Sequence, residues 1–212
     1  MYSALLLFDD FNNKNYVVTS SPNDYIKIWN FTNGQFIRDC GTKNDYTYFI
    51  NIWKHDNEYY IINANADNVK IYGSGKVDDL YGEYSGKQRT WHMSAFVEKL
   101  NNIETLFESD GNGSVRLWNL ENNSLIKSIQ CNSCSLRGIC LWNQQYIIAA
   151  SSDKSIKIID YIEQKCVISI SGHANSVCTI KKIKHPKYGE ALLSGSIDGT
   201  IKLWINKNYH NI

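Results

Sequence analysis

His173, Ser194 and Asp198 are the residue types of a hydroxyl nucleophile, its general base and the carboxylate that orients that base. No oxyanion-hole motif accompanies them, so acyl transfer is not the plainer reading. Gly73-Ser74-Gly75-Lys76 has the ending of a phosphate-binding loop, but Lys70 stands where the first glycine belongs and Val77 replaces the hydroxyl residue; a surface connection is expected. Cys131-x-x-Cys134 with Cys140 offers thiols for zinc without a fourth ligand at matched spacing, so a reduced loop with a buried Cys140 is expected. Asp9-Asp10 and Glu108-Ser109-Asp110 set carboxylates close together, where solvated charge beside turns is the expectation. Lys181, Lys182, Lys184 and Lys187 with His185 form a basic segment suited either to phosphate contact or to solubility. No catalytic residue, metal or cofactor is therefore assigned.

The elements that must position these residues are repeated. The phrase apolar, basic, apolar, aromatic occurs as Ile26-Lys27-Ile28-Trp29, Val69-Lys70-Ile71-Tyr72, Val115-Arg116-Leu117-Trp118 and Ile201-Lys202-Leu203-Trp204, with Ile156-Lys157-Ile158-Ile159 a variant. The final positions are 43, 46, 41 and 45 residues apart. Strict alternation buries one face of a strand and cannot bury one face of a helix. A turn precedes each phrase: Pro22-Asn23-Asp24, Ala66-Asp67-Asn68, Gly111-Asn112-Gly113, Ser152-Asp153-Lys154 and Ile197-Asp198-Gly199. An apolar run precedes each turn, a third lies further upstream, and a fourth follows, clearest at Ser124–Ile129 and Cys166–Ile170. The unit is a four-stranded antiparallel meander, and it returns five times.

This period and the segment Gly172-His173 with Ser194-Gly195-Ser196-Ile197-Asp198-Gly199-Thr200-Ile201-Lys202-Leu203-Trp204 resemble the WD-repeat β-propeller family along essentially the whole sequence. The resemblance implies an all-β fold of five four-stranded antiparallel blades in one domain, 1–212, divided at about 1–40, 41–86, 87–132, 133–173 and 174–212. It implies that His173, Ser194, Asp198 and Trp204 form a structural hydrogen-bonded tetrad. Departures are plain: no repeat ends in Trp-Asp, Asn30 and Asn119 follow their tryptophans, and there is one Gly-His pair. The weaker repeats should carry incomplete tetrads. Three arrangements stay open: part of a larger propeller, an open arc completed by another chain, or a closed five-bladed ring, with the last blade expected to lack its outer strand.

By the same resemblance, partner-binding positions flank the start of each innermost strand: Tyr46 and Tyr48, Trp91 and Met93, Ser135 and Arg137, and Ser176 and Cys178. Trp91 has a second reading, as core between blades. A non-catalytic interaction scaffold for proteins or peptides is expected. The alternatives are a substrate-recognition subunit of a ubiquitin ligase and an enzyme with its site in the propeller channel. The Trp-Asp-x-Arg box of one ligase adaptor class is absent, since Thr32, Glu121 and Lys207 stand three past the repeat tryptophans. With 22 basic and 21 acidic residues the net charge is +1, which draws the chain to neither nucleic acid nor an anionic membrane. No apolar stretch is long enough to span a bilayer or to act as a secretory signal. Six scattered cysteines read as reduced, which places the protein in the cytoplasm or nucleus. Self-association through uncapped blade edges is a further expectation.

Overall fold

The computed structural model describes residues 3–9, 14–21, 24–43, 46–73, 80–85, 90–131 and 133–205, with the Asp9 side chain excepted. Every regular element among them is a strand, because the apolar residues alternate and Asx or Gly turns interrupt them every few residues. Sheet 1 comprises β1 (Ser3–Asp9), β2 (Lys14–Ser20), β3 (Ile26–Asn30) and β4 (Phe36–Cys40), and sheet 2 comprises β5 (Thr47–His55), β6 (Glu58–Asn65), β7 (Val69–Gly73) and β8 (Leu80–Tyr84). Sheet 3 holds β9 (His92–Leu100), β10 (Ile103–Asp110), β11 (Ser114–Asn119) and β12 (Ser124–Gln130), and sheet 4 holds β13 (Leu136–Leu141), β14 (Tyr146–Ser151), β15 (Ser155–Asp160) and β16 (Lys165–Ser171). Sheet 5 has three strands among the described residues, β17 (Val177–His185), β18 (Gly189–Ser196) and β19 (Ile201–Ile205). Each sheet is a meander of neighbours in sequence order, the form of a propeller blade.

The chain divides into two compact units, residues 1–108 with 117–126, and residues 109–116 with 127–212. In the first, successive residues of one strand serve two different cores. Tyr59 and Ile61 of β6 pack with Leu7, Val18, Ile26 and Ile28 of sheet 1. Ile62 and Ala64 of the same strand pack with Ala95, Leu106 and Trp118 of sheet 3. A sheet covered on both faces explains why β6 reads as a near-continuous apolar run. In the second unit Ile148, Ala150 and Ile156 of sheet 4 meet Val177, Ile180 and Leu192 of sheet 5.

Turn chemistry sets the register. The Asn30 side-chain carbonyl accepts the Thr32 amide at 2.8 Å, Asn119 accepts the Glu121 amide at 2.8 Å, and Asp160 accepts the Ile162 and Glu163 amides at 2.9 Å. Asn thus closes the third turn of its blade with the same acceptor oxygen as Asp, which is why the missing Trp-Asp dipeptides do not disturb the fold.

Candidate functional site

In sheet 5 a directional chain of hydrogen bonds runs from strand to loop. The Trp204 indole N–H donates to Ser194 Oγ at 2.8 Å. Ser194 Oγ lies 2.7 Å from His173 Nε2, and His173 Nδ1 lies 2.8 Å from Asp198 Oδ2. With an ionised Asp198 the consistent assignment has Ser194 donating to His173 and His173 donating to Asp198. Asp198 also accepts the Ala174 and Thr200 amides at 2.9 Å each and the Thr200 hydroxyl at 2.6 Å. The Thr200 hydroxyl, these amides and His173 hold the Asp198 carboxyl well below the usual carboxylate range. Ser194 is only 1 % exposed, and its oxygen is engaged by both Trp204 and His173, so no substrate carbonyl can approach it. Gly172 belongs to the same clasp. A Cβ there would stand 2.6 Å from Trp204 Cη2, and only glycine lets the indole lie under the loop.

The other blades show a rule in their spacing. In each blade with a tryptophan in the third strand, the residue ten positions earlier accepts the indole N–H: Ser194 for Trp204, Thr19 for Trp29 at 2.9 Å, and Glu108 for Trp118 at 3.0 Å. Where Ile159 replaces the tryptophan, the residue ten earlier is the buried Ala149. Where Tyr72 replaces it, that residue is the buried Ile62, and the phenol oxygen instead lies 3.1 Å from Thr42 Oγ1. A buried donor requires an acceptor, and without the donor the position turns apolar.

Two expectations need correction here. Glu108 and Asp110 are not solvated: Glu108 is 0 % exposed and pairs with the buried His92 as well as Trp118. Asp110 pairs with the buried Arg116 and accepts the amides of Asn112 at 3.0 Å and Ser114 at 2.8 Å. Sequence reasoning missed both because a carboxylate beside a turn is ordinarily wet; for Glu108 the ten-residue offset from Trp118 was the available signal. Cys140 is half-buried rather than buried, and burial lifts its thiol to about 11 and that of Cys131 to about 12, leaving both protonated near neutrality. Lys182 is committed within its own unit, donating to the Trp142 carbonyl at 2.6 Å, pairing with Glu190 at 2.5 Å and lying over the Trp142 ring. Asp10, Pro22, Asn23, the 74–76 segment and Lys207 lie outside the described residues.

Some of the strand-start positions lie side by side within each unit. In the first, the Tyr46 and Tyr48 rings are 5.4 Å apart and the Tyr48 and Trp91 rings 6.1 Å apart, with Met93 half-buried. Trp91 is 58 % exposed, which removes its reading as core. In the second, Arg137 Nη1 lies 3.8 Å from Cys178 Sγ, and Ser176 is buried. A β-bulge recurs at these positions: Thr47 and Phe49 pair with the adjacent Asn65 and Ala64, Leu136 and Gly138 with Ser151 and Ala150, and Val177 and Thr179 with Ser196 and Gly195. Tyr48, Arg137 and Cys178 are therefore the extra residues, released from the ladder.

The family model of the WD domain, G-beta repeat, matches residues 164–204, the segment that contains this tetrad. This match, the matches to relatives and the repeated meander sheets together support a WD-repeat β-propeller family for the chain. The chain is 27 % identical over 146 residues to the U3 small nucleolar RNA-associated protein 21 homolog of Schizosaccharomyces pombe, covering 65 % of this chain and 16 % of that protein. It is 29 % identical over 100 residues to the probable coatomer subunit beta' of the same yeast, covering 46 % and 12 %. Over 156 residues it is 30 % identical to a p21-activated protein kinase-interacting protein 1-like protein of Danio rerio, covering 66 % and 41 %. The chain thus spans less than half the length of each of these relatives. Among solved structures, the computationally designed Ika8 protein superposes with a TM-score of 0.67 at 17 % identity, over 90 % of this chain and 55 % of that one, a likeness of fold.

Proposed function

We propose that this chain is a non-catalytic interaction scaffold that presents the starts of its innermost strands to protein or peptide partners. The observation that carries the reading is Trp91, 58 % exposed and close to Tyr48 at a tilt of 38°. An exposed indole beside a second ring offers a large, rigid contact area at low entropic cost, the chemistry that dominates binding hot spots. Met93, Tyr46, Ser135, Arg137, Ser176 and Cys178 are the remaining contact positions of the proposal. Relatives named as a coatomer subunit, a COMPASS component and a kinase-interacting protein support work inside assemblies of proteins. The sites of the chain also favour this reading over catalysis, since Ser194 is locked inside the tetrad. Trp91→Ala and Arg137→Ala are expected to weaken capture of a partner that the wild type retains, with circular dichroism unchanged. Undiminished capture by both variants refutes the assignment of this surface.

A further inference from the structure

Arg137 differs from the other described arginines in what its guanidinium meets. Arg116 is paired with the buried Asp110, and Arg38 donates to the Asp39 carbonyl at 3.5 Å. Arg137 is half-buried, its Nε has no hydrogen-bond partner, and Nη1 meets only the sulfur of Cys178. No carboxylate among the described residues pairs with it. A thiol is a weak acceptor and carries no counter-charge, so the desolvated part of this cation is uncompensated. Two more orphaned donors belong to the same strand starts: the Ser135 and Ser176 hydroxyls are buried without a partner. They occupy equivalent places, the Ser135 carbonyl accepting the Ser152 amide at 2.9 Å and the Ser176 carbonyl accepting the Ile197 amide at 3.0 Å. Water can serve a hydroxyl, but it cannot neutralise a guanidinium.

We propose that Arg137 receives an oxyanion of a protein partner, a phosphate or a carboxylate, with the Ser135 and Ser176 hydroxyls as supplementary donors. The proposal rests on the scaffold reading and adds the chemistry of the group bound. A guanidinium offers a planar fork that matches two oxygens of either anion, and its attraction is strengthened where solvent is partly excluded. The net charge of +1 provides no general pull on polyanions, so recognition has to be local, which favours a peptide group over a nucleic-acid backbone.

The sequence contains four arginines, so their Nε–Hε signals resolve in a heteronuclear NMR spectrum of the full chain. Inorganic phosphate, acetate and a short single-stranded RNA are titrated separately at constant ionic strength. A saturable movement of the Arg137 signal with phosphate or acetate, absent from Arg116, is expected. A paired Ser135→Ala and Ser176→Ala variant should weaken that response about three- to tenfold, the loss of one or two modest hydrogen bonds. Stronger response to phosphate identifies a phosphorylated partner, and an equal or stronger response to acetate identifies Asp, Glu or a C-terminus. No saturable movement, an equal movement of Arg38, or tighter binding of the RNA overturns the proposal. Capture that still depends on Trp91 in that event leaves the scaffold reading intact, whereas its loss with a responsive Arg137 separates the two in the other direction.

Discussion

Replacing Ser194 by Ala removes the middle link of the sheet 5 clasp. It deletes bonds of 2.8 Å from Trp204 and 2.7 Å to His173 and strands a donor and an acceptor. The His173 side chain is 1 % exposed and cannot recover its loss from solvent, while the half-buried Trp204 recovers part. With about 1–3 kcal/mol for each buried group left unsatisfied, the expected cost is about 2–4 kcal/mol. Thr19→Ala deletes a single bond to the half-buried Trp29 and should cost about 1 kcal/mol. Ala149→Ser completes the comparison, because Ile159 offers no indole donor and the new hydroxyl is buried, at about 1–3 kcal/mol. Urea unfolding, with amide exchange of β18 and β19 as the local readout, ranks the three. A Ser194→Ala loss no larger than that of Thr19→Ala, or a neutral Ala149→Ser, refutes the view that indole and acceptor are selected together.

Gly172→Ala should displace the Trp204 indole and destabilise sheet 5 by about 1–3 kcal/mol, visible as a shift in tryptophan emission, because the new Cβ falls 2.6 Å from the ring. The depressed carboxyl of Asp198 stabilises the folded state above its unfolded value near ~4 and loses that contribution only as pH falls through its lower folded value. Amide protection around Asp198 should accordingly persist at pH 4 in the wild type and be weakened at neutral pH in Asp198→Asn. Ile201 is 79 % exposed and Leu203 is also exposed, although the equivalent Ile26 and Ile28 of sheet 1 are buried. A double Ile201→Lys and Leu203→Lys variant should reduce self-association in light scattering, and an unchanged mass would move that contact elsewhere.

Much of the fold was legible because alternation, turn residues and a period near 40–46 positions all point to one architecture. The apolar-basic-apolar phrase located β3, β7, β11, β15 and β19 directly, since it encodes the two faces of a strand. Three features were not legible. Glu108 and Asp110 carry no local mark of burial; their partners His92 and Arg116 come from neighbouring strands. The bulges at Tyr48, Arg137 and Cys178 arise from pairing with a second strand, which a single strand's residues do not encode. The exposure of Trp91 depends on packing, and an indole suits core and surface equally.

The most direct test of a partner surface at the strand starts is site-specific photo-crosslinking in the full-length protein. A photoreactive amino acid is placed at Trp91, with a second variant at Val167, an exposed position on the edge strand β16, as control. Protein adducts should form from position 91 and be far weaker from position 167. Adducts confined to position 167 contradict the account.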